Sequence, residues 1–140
     1  MKRGLALLSL LWMFNASAQI EVSSKKQETI FCTNVGLHCI IKVTVNTTDT
    51  YWLSFRDGAY KHIEVRKSLM FSSKEDLMTF YTYIVAGISS EESQVLTFND
   101  QTVGLNYEMG LIKVTFEEGY FFVNNNQALK CIAALKGHNN

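Results

Sequence analysis

The sequence predicts an α+β fold, with a largely antiparallel sheet of about seven to eight strands and two helices, at residues 72–87 and 126–136. Short runs of alternating apolar and polar residues, bounded by Asn, Asp and Gly, occur along most of the chain and read as strands. Only two segments repeat apolar residues every three to four positions, and both begin with capping residues. Proline is absent from all 140 residues, so no stiff linker divides the chain.

At the N-terminus, Met1-Lys2-Arg3, an apolar run from Gly4 to Phe14, and Asn15-Ala16-Ser17-Ala18 have the three parts of a secretory signal. The apolar run is too short to span a bilayer. Residues 1–18 are therefore expected to be a signal peptide, and residues 19–140 a single compact domain exported to the periplasm or secreted. No Cys stands at the cleavage point to carry a lipid, so no membrane anchor is expected after cleavage. Losing Lys2 and Arg3 leaves 11 basic against 13 acidic side chains, a balance that offers no general attraction to nucleic acid.

Residues 19–27 read as a polar N-terminal arm, followed by strands at Thr29 to Thr33 and Cys39 to Val45. Cys32 and Cys39 flank the intervening turn and are expected to form a disulfide, whose closure of the loop stabilises the fold by roughly 2–3 kcal/mol. The third cysteine, Cys131, falls on the apolar stripe of the last helix and reads as a small buried hydrophobe. Asn46 heads both a turn and an N-x-T sequon; the turn reading is preferred, with a sugar expected only in a host that glycosylates secreted proteins.

The clearest stretch is Tyr51 to Gly87. Arg56-Asp57-Gly58 reads as a three-residue hairpin turn, with Gly58 left-handed, joining strands on either side. That register collects Tyr51, Leu53, Phe55, Ala59, Ile63 and Val65 on one face and Trp52, Ser54, Arg56, Tyr60, His62 and Glu64 on the other. Ser72 and Glu75 then form a capping box, Leu77, Phe80, Tyr81, Ile84 and Val85 an apolar stripe, and Gly87 a helix stop. Residues 88–93 read as a polar connection.

Further strands are expected at Gln94 to Phe98, Val103 to Glu108, Leu111 to Phe116 and Tyr120 to Val123, with a turn at Asn99-Asp100-Gln101. Glu117-Glu118-Gly119 reads as a second three-residue turn, bringing Ile112, Val114, Phe116, Tyr120 and Phe122 together. Asn124 to Asn126 cap the closing helix, which Gly137 ends. Ser54-Phe55-Arg56-Asp57-Gly58 and Thr115-Phe116-Glu117-Glu118-Gly119 resemble each other, as do residues 33–37 and 101–105, which suggests a degenerate repeat of strands, hairpin and helix.

No metal, nucleotide or nucleophile-elbow motif is present, so no metal site, cofactor or catalytic residue is assigned. The second face of the expected hairpin concentrates the residue types that dominate contact surfaces. Trp52, Arg56, Tyr60, His62 and Glu64 are therefore the candidate binding residues. The leading expectation is a non-catalytic binding domain for a protein or a saccharide, with an inhibitor-like or immunity-like role. The alternative is a small extracytoplasmic hydrolase using His62 with Glu64 or Cys131.

Overall fold

A computed structural model describes residues 24–33, 38–117 and 119–139. The expected signal segment and residues 19–23 of the expected arm lie outside the described residues. The chain runs β1 (Lys25–Cys32), β2 (His38–Val45), β3 (Thr48–Arg56), β4 (Arg66–Phe71) and α1 (Lys74–Ser90), then β5 (Gln94–Phe98), β6 (Gln101–Glu108), β7 (Leu111–Phe116), β8 (Gly119–Val123) and α2 (Asn125–Gly137). The fold is α+β, with eight strands in two antiparallel four-stranded meanders, β1-β2-β3-β4 and β5-β6-β7-β8. Four strands and a helix thus occur twice in succession.

Burial alternates along β3, β4, β6, β7 and β8, while the β1–β2 register shifts between Thr29 and Phe31. Tyr51, Leu53, Phe55, Leu69 and Phe71 of the first sheet are buried, as are Val103, Leu105, Ile112, Val114, Phe121 and Val123 of the second. The two helices pack on each other; α1 touches β3, β4, β6 and β7, whereas α2 touches β1. The buried side chains of both halves belong to one hydrophobic cluster. Aromatic contacts join the sheets, with Phe55 stacked on Phe121 at 4.2 Å and set edge-on to Phe116 at 5.1 Å, and Phe71 stacked on Phe98 at 4.7 Å.

The helices start where short polar side chains take up free backbone N–H groups. Ser73, not Ser72, caps α1 by accepting from the Asp76 N–H, while Ser72 donates its hydroxyl to Asn99 Oδ1 at 2.8 Å. Gly87 lies inside α1, which ends at Ser90 with Glu91 left-handed. Its missing side chain serves packing: a Cβ there would meet Ile112 of β7 at 3.2 Å. Asn124 and Gln127 form a reciprocal capping box at the start of α2.

Two turn assignments differ from the sequence reading. β3 does not fold back at Gly58; residues 57–65 form a nine-residue connection, and β4 pairs with β3 in the register Leu53↔Leu69 and Phe55↔Lys67. Asp57 and Gly58 have turn chemistry, but the structure employs them across the molecule, as shown below. Gly58 is not left-handed; among the described glycines only Gly110 is. Similarly, Phe116 pairs directly with Gly119, so β7 and β8 are joined by the two residues 117–118. This one-residue change sends Phe121 and Val123 to the core beside Ile112 and Val114, and turns Tyr120 and Phe122 to the opposite face.

At two smaller differences strand pairing extends beyond the apolar residues that signal it. Lys25 to Gln27 of the expected arm pair with Val43 to Val45, and Gln101 opens β6 instead of closing the turn. Residues 88–90 continue α1.

Candidate functional site

The two halves meet at Asp57, whose side chain has no exposure to solvent. Its own N–H donates to the Val65 carbonyl at 2.8 Å, closing the 57–65 loop. Its Oδ1 accepts from the N–H of Ala59 at 3.0 Å and of Tyr120 at 3.2 Å, and its Oδ2 lies 2.7 Å from Lys67 Nζ. Beside it, the Gly58 N–H donates to the Tyr120 carbonyl at 2.7 Å. One carboxylate therefore ties the loop, β4 and the outer edge of β8 together.

The electrostatics follow from that geometry. Burial pushes the Asp57 carboxyl up, but Lys67 and the N–H groups of Ala59 and Tyr120 outweigh it and hold the carboxyl below the usual carboxylate value. Lys67 Nζ also lies 5.7 Å from the Tyr60 ring centre and 5.8 Å from that of Phe116. Neither glycine in the contact tolerates a side chain: a Cβ on Gly119 would fall on the Asp57 carboxylate, and one on Gly58 would meet the Tyr120 ring.

Two concave surfaces adjoin this tie. A small depression of about 300 Å³ is lined by His38, Arg56, Asp57, Gly58, Tyr60, Phe121 and Phe122. Tyr60 and Phe122 are 41% and 40% exposed, and Ile63 on the same loop is 65% exposed. His38, at the start of β2, is buried edge-on against Phe121 at 5.2 Å. Burial, with Arg66 contributing, lowers its pKa to about 4, so the imidazole is neutral at physiological pH. The second surface is a larger crevice of about 660 Å³ between β4 and the β6–β7 end of the other sheet.

Of the five residues singled out from sequence, Arg56 and Tyr60 are brought together at the depression. Trp52 is not among its lining residues. It is half-buried on the outer face of β3, opposite Ile41 and Met70, and its Nε1 donates to Thr50 Oγ1 at 3.0 Å. His62 and Glu64 are exposed on the loop, and Glu64 Oε1 lies 3.4 Å from Arg66 Nη1. Their shared strand face does not exist, because the segment carrying Tyr60, His62 and Glu64 is loop rather than strand.

Cys131 is buried against Tyr81, and burial raises its thiol pKa, which suppresses the thiolate. His62 is exposed on the 57–65 loop, whereas Cys131 is buried on α2. Cys32 and Cys39 are joined as a disulfide across β1 and β2. Among the described residues no group of three or more His, Cys, Asp or Glu is placed to hold a metal ion. Sequence reasoning missed His38, Phe121, Phe122 and Asp57 as parts of one site. Lys67 was the available signal: in a strand where Leu69 and Phe71 face inward, a lysine at the same parity requires a buried acid.

The chain matches no protein-family model, no curated protein and no solved structure.

Proposed function

We propose that this chain is a small exported, non-catalytic binding domain that engages a protein partner through Arg56, Tyr60 and Phe122. The observation that carries this reading is the nine-residue 57–65 loop, anchored at its base by Asp57 while it presents Tyr60 beside Phe122 and leaves Ile63 exposed. A loop held on a rigid scaffold is a common location for recognition, and aromatic side chains with a neighbouring arginine supply large contact area at low entropic cost. The apolar character of Ile63 and Phe122 favours a protein over a saccharide. Export is part of the proposal, supported by the signal-like residues 1–18 and by a disulfide suited to an oxidising compartment. No helix among the described residues is long and apolar enough to cross a membrane.

The hydrolase alternative draws no support from the arrangement of His62, Glu64 and Cys131 described above. Immobilised protein incubated with the host's extracytoplasmic fraction tests the proposal. A discrete partner is expected on the wild-type chain and on Leu129→Ala, an exposed site on α2, and strongly depleted on Arg56→Ala and Tyr60→Ala. Equal retention by all four refutes the assigned surface.

A further inference from the structure

The larger crevice has features that the Tyr60 surface does not share. β4 is the outer strand of its sheet, and hydrogen bonding identifies which of its main-chain groups face outward. The bond from the Asp57 N–H to the Val65 carbonyl makes residues 57 and 65 a directly bonded pair. By alternation, Lys67, Leu69 and Phe71 direct their main-chain groups to β3, and Arg66, Ser68 and Met70 direct theirs away. Agreement comes from the other side, where Asn99 Nδ2 donates to the Met70 carbonyl at 2.8 Å.

At the Met70 end of the crevice Asn99 holds β4 to the second sheet, and at the Lys67 end Asp57, which accepts from both Lys67 and the Tyr120 N–H, ties β4 to β8. Between these two ties, the N–H and carbonyl of Ser68 face the opening with no hydrogen-bond partner among the described residues. An outward-facing strand edge is a template for another strand. Here the floor beside it is apolar, with Leu69, Val103 and Phe116.

Charge then selects the occupant. β6 and β7 are antiparallel neighbours, so the turn carrying Asp100 and the turn carrying Glu117 stand at the same end of the second sheet, and both residues line the crevice. Both are exposed, and among the described residues neither forms an ion pair. The one lysine in the lining, Lys67, has its ammonium on the Asp57 carboxylate. We infer that this crevice accepts a short extended peptide of alternating apolar and basic residues, which pairs with the Ser68 main chain as an added strand and sets its cations against Asp100 and Glu117. Alternation matters because one face of an added strand meets the apolar floor while the other meets the acidic turns.

The test titrates the isotope-labelled full chain with a blocked pentapeptide of alternating valine and lysine, followed by amide NMR shifts. Saturable shifts are expected at Ser68 and at Gln101 to Val103, with binding about tenfold tighter than for the valine–glutamate peptide. Ser68→Pro removes an N–H that β3 does not use, and is expected to weaken binding about tenfold while the spectrum elsewhere is retained. N-methylation of the central peptide bond gives the same loss without altering the protein. The inference is overturned if the lysine peptide causes no shift at Ser68, if the glutamate peptide binds equally, or if the N-methylated peptide binds as well as its parent. It is also overturned if the chain forms a solution dimer whose protected amides centre on Ser68 and which the peptide does not displace.

Discussion

Replacing Asp57 tests most of the architecture at once, because three donors converge on its carboxylate from the 57–65 loop, β4 and β8. Asp57→Ala leaves Lys67 and two N–H groups without their acceptor. Removing one member of a buried ion pair costs about 3–5 kcal/mol, and each buried donor left unsatisfied about 1–3 kcal/mol. Two features moderate the sum: the Lys67 side chain retains 21% exposure, and Ala59 is exposed, so both recover some water. The expected loss is thus about 3–5 kcal/mol, a large part of the 5–15 kcal/mol typical of a domain. Asp57→Asn keeps an acceptor for Ala59 and Tyr120 but sets an amide NH2 against the Lys67 ammonium in place of Oδ2, so a loss of about 1–3 kcal/mol is expected. Urea denaturation with a common slope measures both. Adding Lys67→Met to Asp57→Ala removes the stranded ammonium and should recover part of the loss. If Asp57→Ala stays within about 0.5 kcal/mol of the wild type, the carboxylate does not join the two halves and the reasoning fails.

Further outcomes follow from the same contacts. Gly119→Ala places a Cβ on the Asp57 carboxylate and should destabilise by about 2–4 kcal/mol, whereas Gly137→Ala meets nothing within 4 Å and should change stability by less than about 1 kcal/mol; thermal melts separate them. Because the folded His38 pKa of about 4 lies below its ordinary value near 6.5, the unfolded state binds more protons between these limits. Stability should therefore fall by about 3 kcal/mol as pH drops from 6.5 to 4, and His38→Phe should flatten that slope in denaturation curves taken across the range. Asp57 adds a loss at lower pH, since its depressed folded pKa contributes stability that is complete above the unfolded value near 3.9 and disappears as pH falls through the folded one. Mass spectrometry of exported material should find a mature N-terminus at Gln19; an intact Met1 terminus on cytoplasmic protein contradicts export.

The α+β class, both helices, the Cys32–Cys39 disulfide and most strands were legible because each depends on local pattern: alternation, helical spacing, caps and the proximity of two cysteines. The site was legible only in part. Asp57-Gly58 resembles a hairpin turn in any local reading, yet its carboxylate accepts from Tyr120, 63 residues further along, and Gly58 is required where the Tyr120 ring lies against it. Tertiary contact overrode turn chemistry there and displaced β4 to residues 66–71. The β7–β8 turn shows how little separates the alternatives. One residue fewer in the connection moved Phe122 from the expected core face to the surface, where it joins Tyr60. Trp52, chosen for its residue type and its face on the expected hairpin, lies apart from that patch because parity along β3 says nothing about which elements end near the 57–65 loop.

The central claim is that the face built by Arg56, Tyr60 and Phe122 binds a protein, and site-specific photocrosslinking tests it most directly. A benzophenone side chain installed at position 60 should yield one discrete adduct when the protein is irradiated in the host's extracytoplasmic fraction. The same group at position 129, exposed on α2, should yield none, and Arg56→Ala should suppress the adduct at position 60. No adduct at position 60, or the same adducts from both positions, contradicts the claim.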